Sequence, residues 1–264
     1  MFDAHLARWG LVPDGAPIVT RSSRLLPVRR HGAPAMLKVA VAAEERFGGA
    51  LMAWWDGKGA ARVLEQDGDA ILLERATGKA SLAGLAREGR DDEATRILCG
   101  VAATLHAPRD KPLPDLVPLP RWFAALEPAA ATRGGILAAA ATASRALLAA
   151  PREVGVLHGD IHHGNVLDFG PRGWLAIDPK RLVGERGFDH ANLFCNPDHA
   201  TATDPGRFAR RVKVVSRAAG LERGRLLRWI LAWAGLSAAW LIGDGASPGT
   251  ALAVAELALA ELAR

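Results

Sequence analysis

Hydrophobic and polar positions alternate in two different textures along the chain. Residues 2–10 read as a short helix that ends at Gly10, ahead of Pro13, Gly15 and Pro17. Short β-like apolar runs follow at 18–20, 25–30 and 35–40, separated by Ser22–Ser23 and by His31–Gly32. Residues 44–55 carry Phe47, Leu51, Trp54 and Trp55 at helical spacing, and Asp56–Gly57 ends that helix. Two more strands are predicted at 61–65 and 70–75, joined by Asp67–Gly68, a strong hairpin signal. Beyond residue 75 the pattern turns helical, at 88–105, 121–149, 207–219, 223–242 and 248–263, with an extended connector at 108–120 that holds five prolines. One stretch, 154–198, is unlike the rest and dense in Gly, His, Asp and Asn, the composition of loops that carry function. The fold class expected is α+β with two lobes: 1–76, small, antiparallel and β-rich, and 77–264, larger and helical. A hinge is expected near 74–80, with the polar segment at the cleft.

Composition narrows the classes. Half of the 264 residues are hydrophobic and 23% are charged, which is globular. No uncharged apolar run approaches the roughly 20 residues a bilayer requires. The nearest, 229–242, carries Gly235 and Ser237 and reads as a buried helix. Residues 1–20 lack the pattern of a signal peptide. Cys99 and Cys195 lie far apart without metal-ligand spacing, as free thiols in a reducing compartment would. The expectation is a cytoplasmic protein, monomer or dimer, with no membrane partner. A net charge of +5 raises the question of nucleic acid, but the arginines are scattered among alanines with no basic stripe interleaved with aromatics, so no nucleic-acid partner is expected.

Chemistry concentrates in two clusters. Val156-Leu157-His158-Gly159-Asp160-Ile161-His162-His163-Gly164-Asn165-Val166-Leu167 is followed by Trp174-Leu175-Ala176-Ile177-Asp178-Pro179-Lys180. Apolar strands bracket both, which puts Asp160 and Asp178 where strands give way to loops. Phosphoryl transfer needs few protein groups, because its loose transition state is served by positioning and charge neutralisation. Asp160 suits the carboxylate that orients a hydroxyl and accepts its proton. Asn165, five residues on, and Asp178 suit a Mg2+ ion, which prefers hard oxygen ligands. The Asp-to-Asn spacing matches that of a protein-kinase catalytic loop. The bland alternative is a loop of capping residues, since Asp and Asn favour turns. His158, His162 and His163 lack the fourth ligand and the geometry of a zinc site; His158 is expected beneath the loop, bonded to backbone.

His158-Gly159-Asp160 with Asn165, then Ile177-Asp178, resembles the aminoglycoside phosphotransferase superfamily, whose fold is like that of protein kinases. A closer resemblance is to the streptomycin 6-phosphotransferases, the aminoglycoside/hydroxyurea resistance kinases. It is carried by residues 18–28, 35–38, Arg46-Phe47-Gly48, Trp54-Trp55-Asp56-Gly57, 70–76 and Gly184-Glu185-Arg186-Gly187-Phe188-Asp189. The resemblance implies transfer of the γ-phosphate of ATP, with Mg2+, to a hydroxyl of a small polar acceptor, an aminocyclitol antibiotic such as streptomycin at its 6-hydroxyl. It implies that Lys38 meets the α- and β-phosphates, paired with Glu44 or, better, Glu45. The backbone of Glu74 to Ala76 would receive adenine, and the hairpin at Ser22 and Ser23 would take the place of a glycine-rich phosphate loop. Glu185 and Asp198 are candidates for cationic groups of the substrate, since carboxylates pair well with guanidinium. Asp189 either caps the following helix and braces the loop or faces substrate. Two other readings stand beside this one: a kinase of another metabolite, such as an amino alcohol or sugar, and a non-catalytic nucleotide-binding regulatory module. Intact Lys38, Asp160, Asn165 and Asp178 argue against the second.

Overall fold

The computed structural model describes residues 1–41 and 48–264. Helix α1 (Asp3–Trp9) leads into an antiparallel sheet of β1 (Leu11–Pro13), β2 (Ile18–Val19), β3 (Ser23–Arg30), β4 (Ala33–Ala40), β5 (Val63–Asp67) and β6 (Ala70–Glu74). Its strand order is β1-β3-β4-β6-β5, with β2 paired to β3. Alternation along β4 sets the two faces. Ala35, Leu37 and Val39 are buried against Leu26, Val28 and Leu72, under Phe2 and under Leu6 and Trp9 of α1. Met36 and Lys38 therefore project from the opposite face, because successive strand residues point to opposite sides. Burying a side chain such as Leu37 contributes about 2 kcal/mol.

Helix α2 (Gly48–Trp55) precedes β5, and α3 (Leu82–Arg87) follows β6. The sequence pattern missed α3, which is too short for helical periodicity; its start is marked by Ser81, whose side chain accepts from the Gly84 N–H. Helix α4 (Asp91–His106) comes next. The proline-rich connector ends in β7 (Val117–Pro118) and α5 (Leu119–Trp122). The single helix expected over 121–149 is broken. A 3-10 turn at Phe123–Ala125 leads to α6 (Leu126–Arg133), and α7 (Gly135–Ala149) starts afresh. The break falls at Gly134 and Gly135, both at positive φ (63° and 55°), a conformation that glycine adopts without steric cost.

The polar segment is strand-framed as its flanking apolar runs predict. Strands β8 (Val154–Leu157), β9 (Val166–Asp168), β10 (Trp174–Ala176) and β11 (Leu182–Glu185) enclose it. Strand β11 pairs antiparallel with β8 and parallel with β7, while β9 and β10 form a hairpin. Helices α8 (His199–Ala202), α9 (Pro205–Ala219), α10 (Arg223–Gly243) and α11 (Gly249–Leu262) complete the chain. Helix α10 is long and apolar enough by length and composition to cross a membrane, but two-thirds of its apolar window is buried inside the fold. It is a core helix: Trp229 and Ile230 are almost fully enclosed. Arginines that look scattered in the sequence are partly gathered by the fold. Arg96, Arg210, Lys213 and Arg217 line a groove between α4 and α9, with Asp92 bonded to Arg210.

Helices α7 and α10 cross closely at Gly235, where an added Cβ would lie 2.3 Å from the Cβ of Ala140. Gly235→Ala should destabilise the fold by about 1–3 kcal/mol through overpacking, outweighing the roughly 1 kcal/mol that alanine gains in helix propensity. Urea unfolding checks this, and a second change, Ala140→Gly, should restore most of the loss.

Candidate functional site

The site is built around the loop from β8 to β9. His158 is fully buried, its ring stacked on Trp55 with centroids 6.0 Å apart. Its Nε2 lies 2.9 Å from the Ile177 carbonyl and its Nδ1 accepts from the Asp160 N–H at 3.2 Å. That pair of contacts defines a neutral imidazole with the proton on Nε2, since a carbonyl can only accept. Burial pushes its pKa below the usual value in the same sense, against the pull of Asp189. Gly159 follows at φ +87°, with the Leu182 side chain 2.8 Å from where a Cβ would sit. Both the conformation and the space require glycine there.

Below the loop sits Asp189, wholly enclosed. Its carboxylate accepts from the His158 N–H at 2.8 Å and the Gly159 N–H at 2.6 Å, and His106 lies 2.8 Å from the same group. Burial alone would raise its pKa. The bonds from His106 and the loop backbone outweigh that and hold it below the ordinary carboxylate range.

Above the loop the expected polar residues converge. Asn165 Nδ2 donates to both the main-chain oxygen and Oδ2 of Asp160, each at 3.0 Å. Lys38, 140 positions from Asp178 in sequence, donates to its Oδ1 at 2.5 Å, and Lys180 reaches Oδ2 at 3.3 Å. The Ile177 N–H bonds the Asn165 carbonyl at 2.9 Å, tying the two clusters together. Asp178 itself has φ +62°, which turns its carboxylate out of the β10 strand direction. Hard oxygens are what Mg2+ takes, and the residue types fit it: the Asn165 amide nitrogen is occupied by Asp160, leaving its oxygen, and Asp178 directly follows Ile177, whose N–H bonds the Asn165 carbonyl.

Other expected residues sit elsewhere. Glu45 lies outside the described residues. Ser22 is half-buried at the tip of the β2–β3 turn, where its carbonyl accepts from Val41; Ser23 is buried, its hydroxyl turned inward, so it does not face a phosphate directly. Glu74 ends β6 and accepts from the Arg62 N–H and from Arg172. Ala76 packs at the edge of an apolar cluster of Met36, Leu73, Leu167, Phe169 and Ile177, between the sheet and the β9–β10 hairpin. Glu185 and Asp198, expected at the substrate, are tied into the framework, and Asp189 takes the loop-bracing one of its two expected roles. Glu185 is 3% exposed and is held by Arg225, the Trp229 indole N–H and the Arg152 N–H. Asp189 braces the loop as described. Asp198 caps α8 through the Thr201 N–H and pairs with Arg87, which holds its pKa down at about 2.

Sequence reasoning missed His106 and Asn192. Asn192 donates to Asp160 Oδ1 at 2.5 Å. The density of Asn in the polar segment was its only signal. His106 ends an ordinary amphipathic helix 83 positions from Asp189, and nothing local marks it.

The family model for aminoglycoside/hydroxyurea antibiotic resistance kinases matches residues 8–245. The chain belongs to this family. It is 54% identical to a streptomycin 3''-kinase of Klebsiella pneumoniae, over 98% of both chains. It is 34% identical to a streptomycin 6-kinase of Streptomyces glaucescens, over 98% of this chain and 87% of that one. Its fold is that of a thermostable aminoglycoside phosphotransferase variant solved with ADP and hygromycin B, at a TM-score of 0.67 and 16% identity, covering 99% of this chain and 97% of the other. It is thus a two-lobed kinase of this family.

The framework histidines give the fold an acid weakness. Burial, reinforced by His106, pushes His190 down to about 4 from an ordinary 6.5. Between those values the unfolded chain binds a proton that the folded chain refuses, so stability falls as pH drops from 6.5 towards 4. His163, pushed down to about 3 by burial, adds to the effect. Urea unfolding across pH 4.5–6.5 should show this loss, and His190→Asn should reduce its slope by about one proton. An unchanged slope would refute the assignment.

Proposed function

We propose that the chain transfers the γ-phosphate of ATP to a hydroxyl of streptomycin, with Asp160 orienting that hydroxyl and accepting its proton. The observation that carries this is the convergence of Lys38, Asp160, Asn165 and Asp178 into one hydrogen-bonded set from two parts of the chain. Residues 1–76 act as the nucleotide lobe and 77–264 as the lobe of the loop and the acceptor. Adenine would rest on the partly buried apolar side chains Met36, Ala76, Leu167 and Ile177, against the backbone of Glu74 to Ala76. Lys38 neutralises the α- and β-phosphates, and the β2–β3 turn at Ser22 covers them with main-chain N–H groups. Asn165 and Asp178 would hold Mg2+, which when bound offsets the charge on the phosphates. Acting in the cytoplasm, where ATP is, the reaction would protect the cell from the antibiotic.

Asp160 keeps one acceptor direction on each oxygen after its amide bonds are made, since a carboxylate offers about four. A hydroxyl placed there is aimed at the phosphate and loses its proton as the new P–O bond forms. The family resemblance of the motifs favours the 6-hydroxyl. A second reading, the 3''-hydroxyl, is favoured by the 54% identity to a kinase named for that position. The two differ in which end of streptomycin meets Asp160, and phosphorus-coupled NMR of the product decides between them.

Streptomycin-dependent ADP release by purified protein tests the reading. Asp160→Asn should keep the fold and nucleotide binding while turnover drops by at least about 100-fold. A loss below tenfold would show that Asp160 is not the positioning carboxylate. Asp178→Ala should weaken nucleotide binding in Mg2+ while changing it little in EDTA; equal affinity in both would refute its metal role.

A further inference from the structure

We propose that Asn192 is a positioning residue for the reaction, fixing the plane of the Asp160 carboxylate; the inference rests on the role of Asp160 proposed above. The terminal torsion of an aspartate is broad, so its plane must be set by partners. Asp160 has two amide donors, on opposite oxygens and from different segments. Asn165 Nδ2 donates to Oδ2 at 3.0 Å, and Asn192 Nδ2 donates to Oδ1 at 2.5 Å. One donor alone would let the group swing; two on separate oxygens stop it. Asn165 also faces the proposed metal, whereas Asn192, 5% exposed, lies behind the loop in the turn Asn192–Cys195.

The direction of the Asn192 amide follows from its own surroundings. Asn196 Nδ2 donates to Asn192 Oδ1 and to its main-chain oxygen, both at 3.1 Å. The Asn192 oxygen being taken, its nitrogen faces the carboxylate, where an oxygen would meet like charge. The turn that carries both asparagines is held from beneath. Arg211, 3% exposed, donates to the carbonyls of Leu193 and Asn196, each at 2.8 Å, and pairs with Asp91 through Nε at 3.2 Å and Nη2 at 2.6 Å. A line of buried and half-buried polar groups thus runs from the start of α4 through Arg211, Asn196 and Asn192 to Asp160. Such a line is costly to desolvate. Its physical effect is to present one Asp160 geometry to the acceptor hydroxyl, and misplacement of a reacting group by an ångström costs about 100-fold in rate.

The test uses full-length Asn192→Leu, Asn192→Asp and Asp160→Asn in the streptomycin-dependent assay. Asn192→Leu should lower kcat by about 10- to 100-fold, with KM for ATP close to the parent. Asn192→Asp keeps the size and the Asn196 bond but sets a second carboxylate against Asp160. Two such groups repel, so the acidic limb of the kcat profile should move to higher pH, a shift expected only if position 192 faces Asp160 as the structure has it. If Asn192→Leu does not fold, the acidic limb of Asn192→Asp decides alone. A kcat within about threefold of the parent for Asn192→Leu, or an unmoved acidic limb for Asn192→Asp, overturns the inference. An inert Asp160→Asn beside a fully active Asn192→Leu removes Asn192 only; an active Asp160→Asn removes both readings.

Discussion

The buried carboxylate of Asp189 is the interaction on which the rest of the site depends. It is an anion with no access to water, and it remains charged because two loop N–H groups and His106 surround it. The two N–H groups belong to His158 and Gly159, which immediately precede Asp160. Fixing them fixes the direction in which the loop leaves β8. The neutral His158 ring then extends the constraint upward, from the Asp160 N–H on one side to the Ile177 carbonyl on the other. One enclosed charge therefore sets the relative positions of the two clusters, because Ile177 immediately precedes Asp178. Such an arrangement is robust to small errors elsewhere: leaving any of these polar groups unpaired would cost about 1–3 kcal/mol.

The sheet contributes through parity. Strand β4 buries Ala35, Leu37 and Val39 on its outer face, so Lys38 must face the cleft, and a slip of one residue in register would turn it away. The β3–β4 pairing that prevents the slip runs over eight residue pairs, with Leu26 opposite Leu37 and Leu25 opposite Lys38. The apolar cluster of Met36, Leu73, Phe169 and Leu175 joins the inner face of the sheet to the β9–β10 hairpin. Lys38 is thereby set against Asp178 by packing on either side of it as well as by charge.

Much of this was legible in the sequence because it is local. Alternation marked the strands, Asp67–Gly68 marked the β5–β6 hairpin, and Asp160, Asn165 and Asp178 lie in two short segments whose spacing carries their chemistry. What was not legible depends on distant partners. Glu185 and Asp198 look like exposed acids beside a polar loop. Only the arrival of Arg225 from α10 and Arg87 from α3 shows that they are framework. The helix break at Gly134–Gly135 was hidden by the strong helix propensity of the surrounding alanines. Helix α10 was legible as a buried helix from the Gly235 and Ser237 that interrupt its apolar run, although by length and composition alone it could cross a membrane.

Burial thus sorts the acids of the cleft into two groups. Asp189 and Glu185 are enclosed, each with at least three donors, and their charge is consumed in holding backbone and helices together. Asp160 and Asp178 remain about a quarter and a third exposed. Asp160 keeps an acceptor direction on each oxygen beside its amide donors, and the ammonium groups at Asp178 can exchange for a cation or turn to a phosphate. The same residue type serves as anchor or as reactant according to whether water, and therefore substrate, can reach it. Of these four, a cationic antibiotic can reach only the second pair, and the chemistry follows from which of them the fold leaves open.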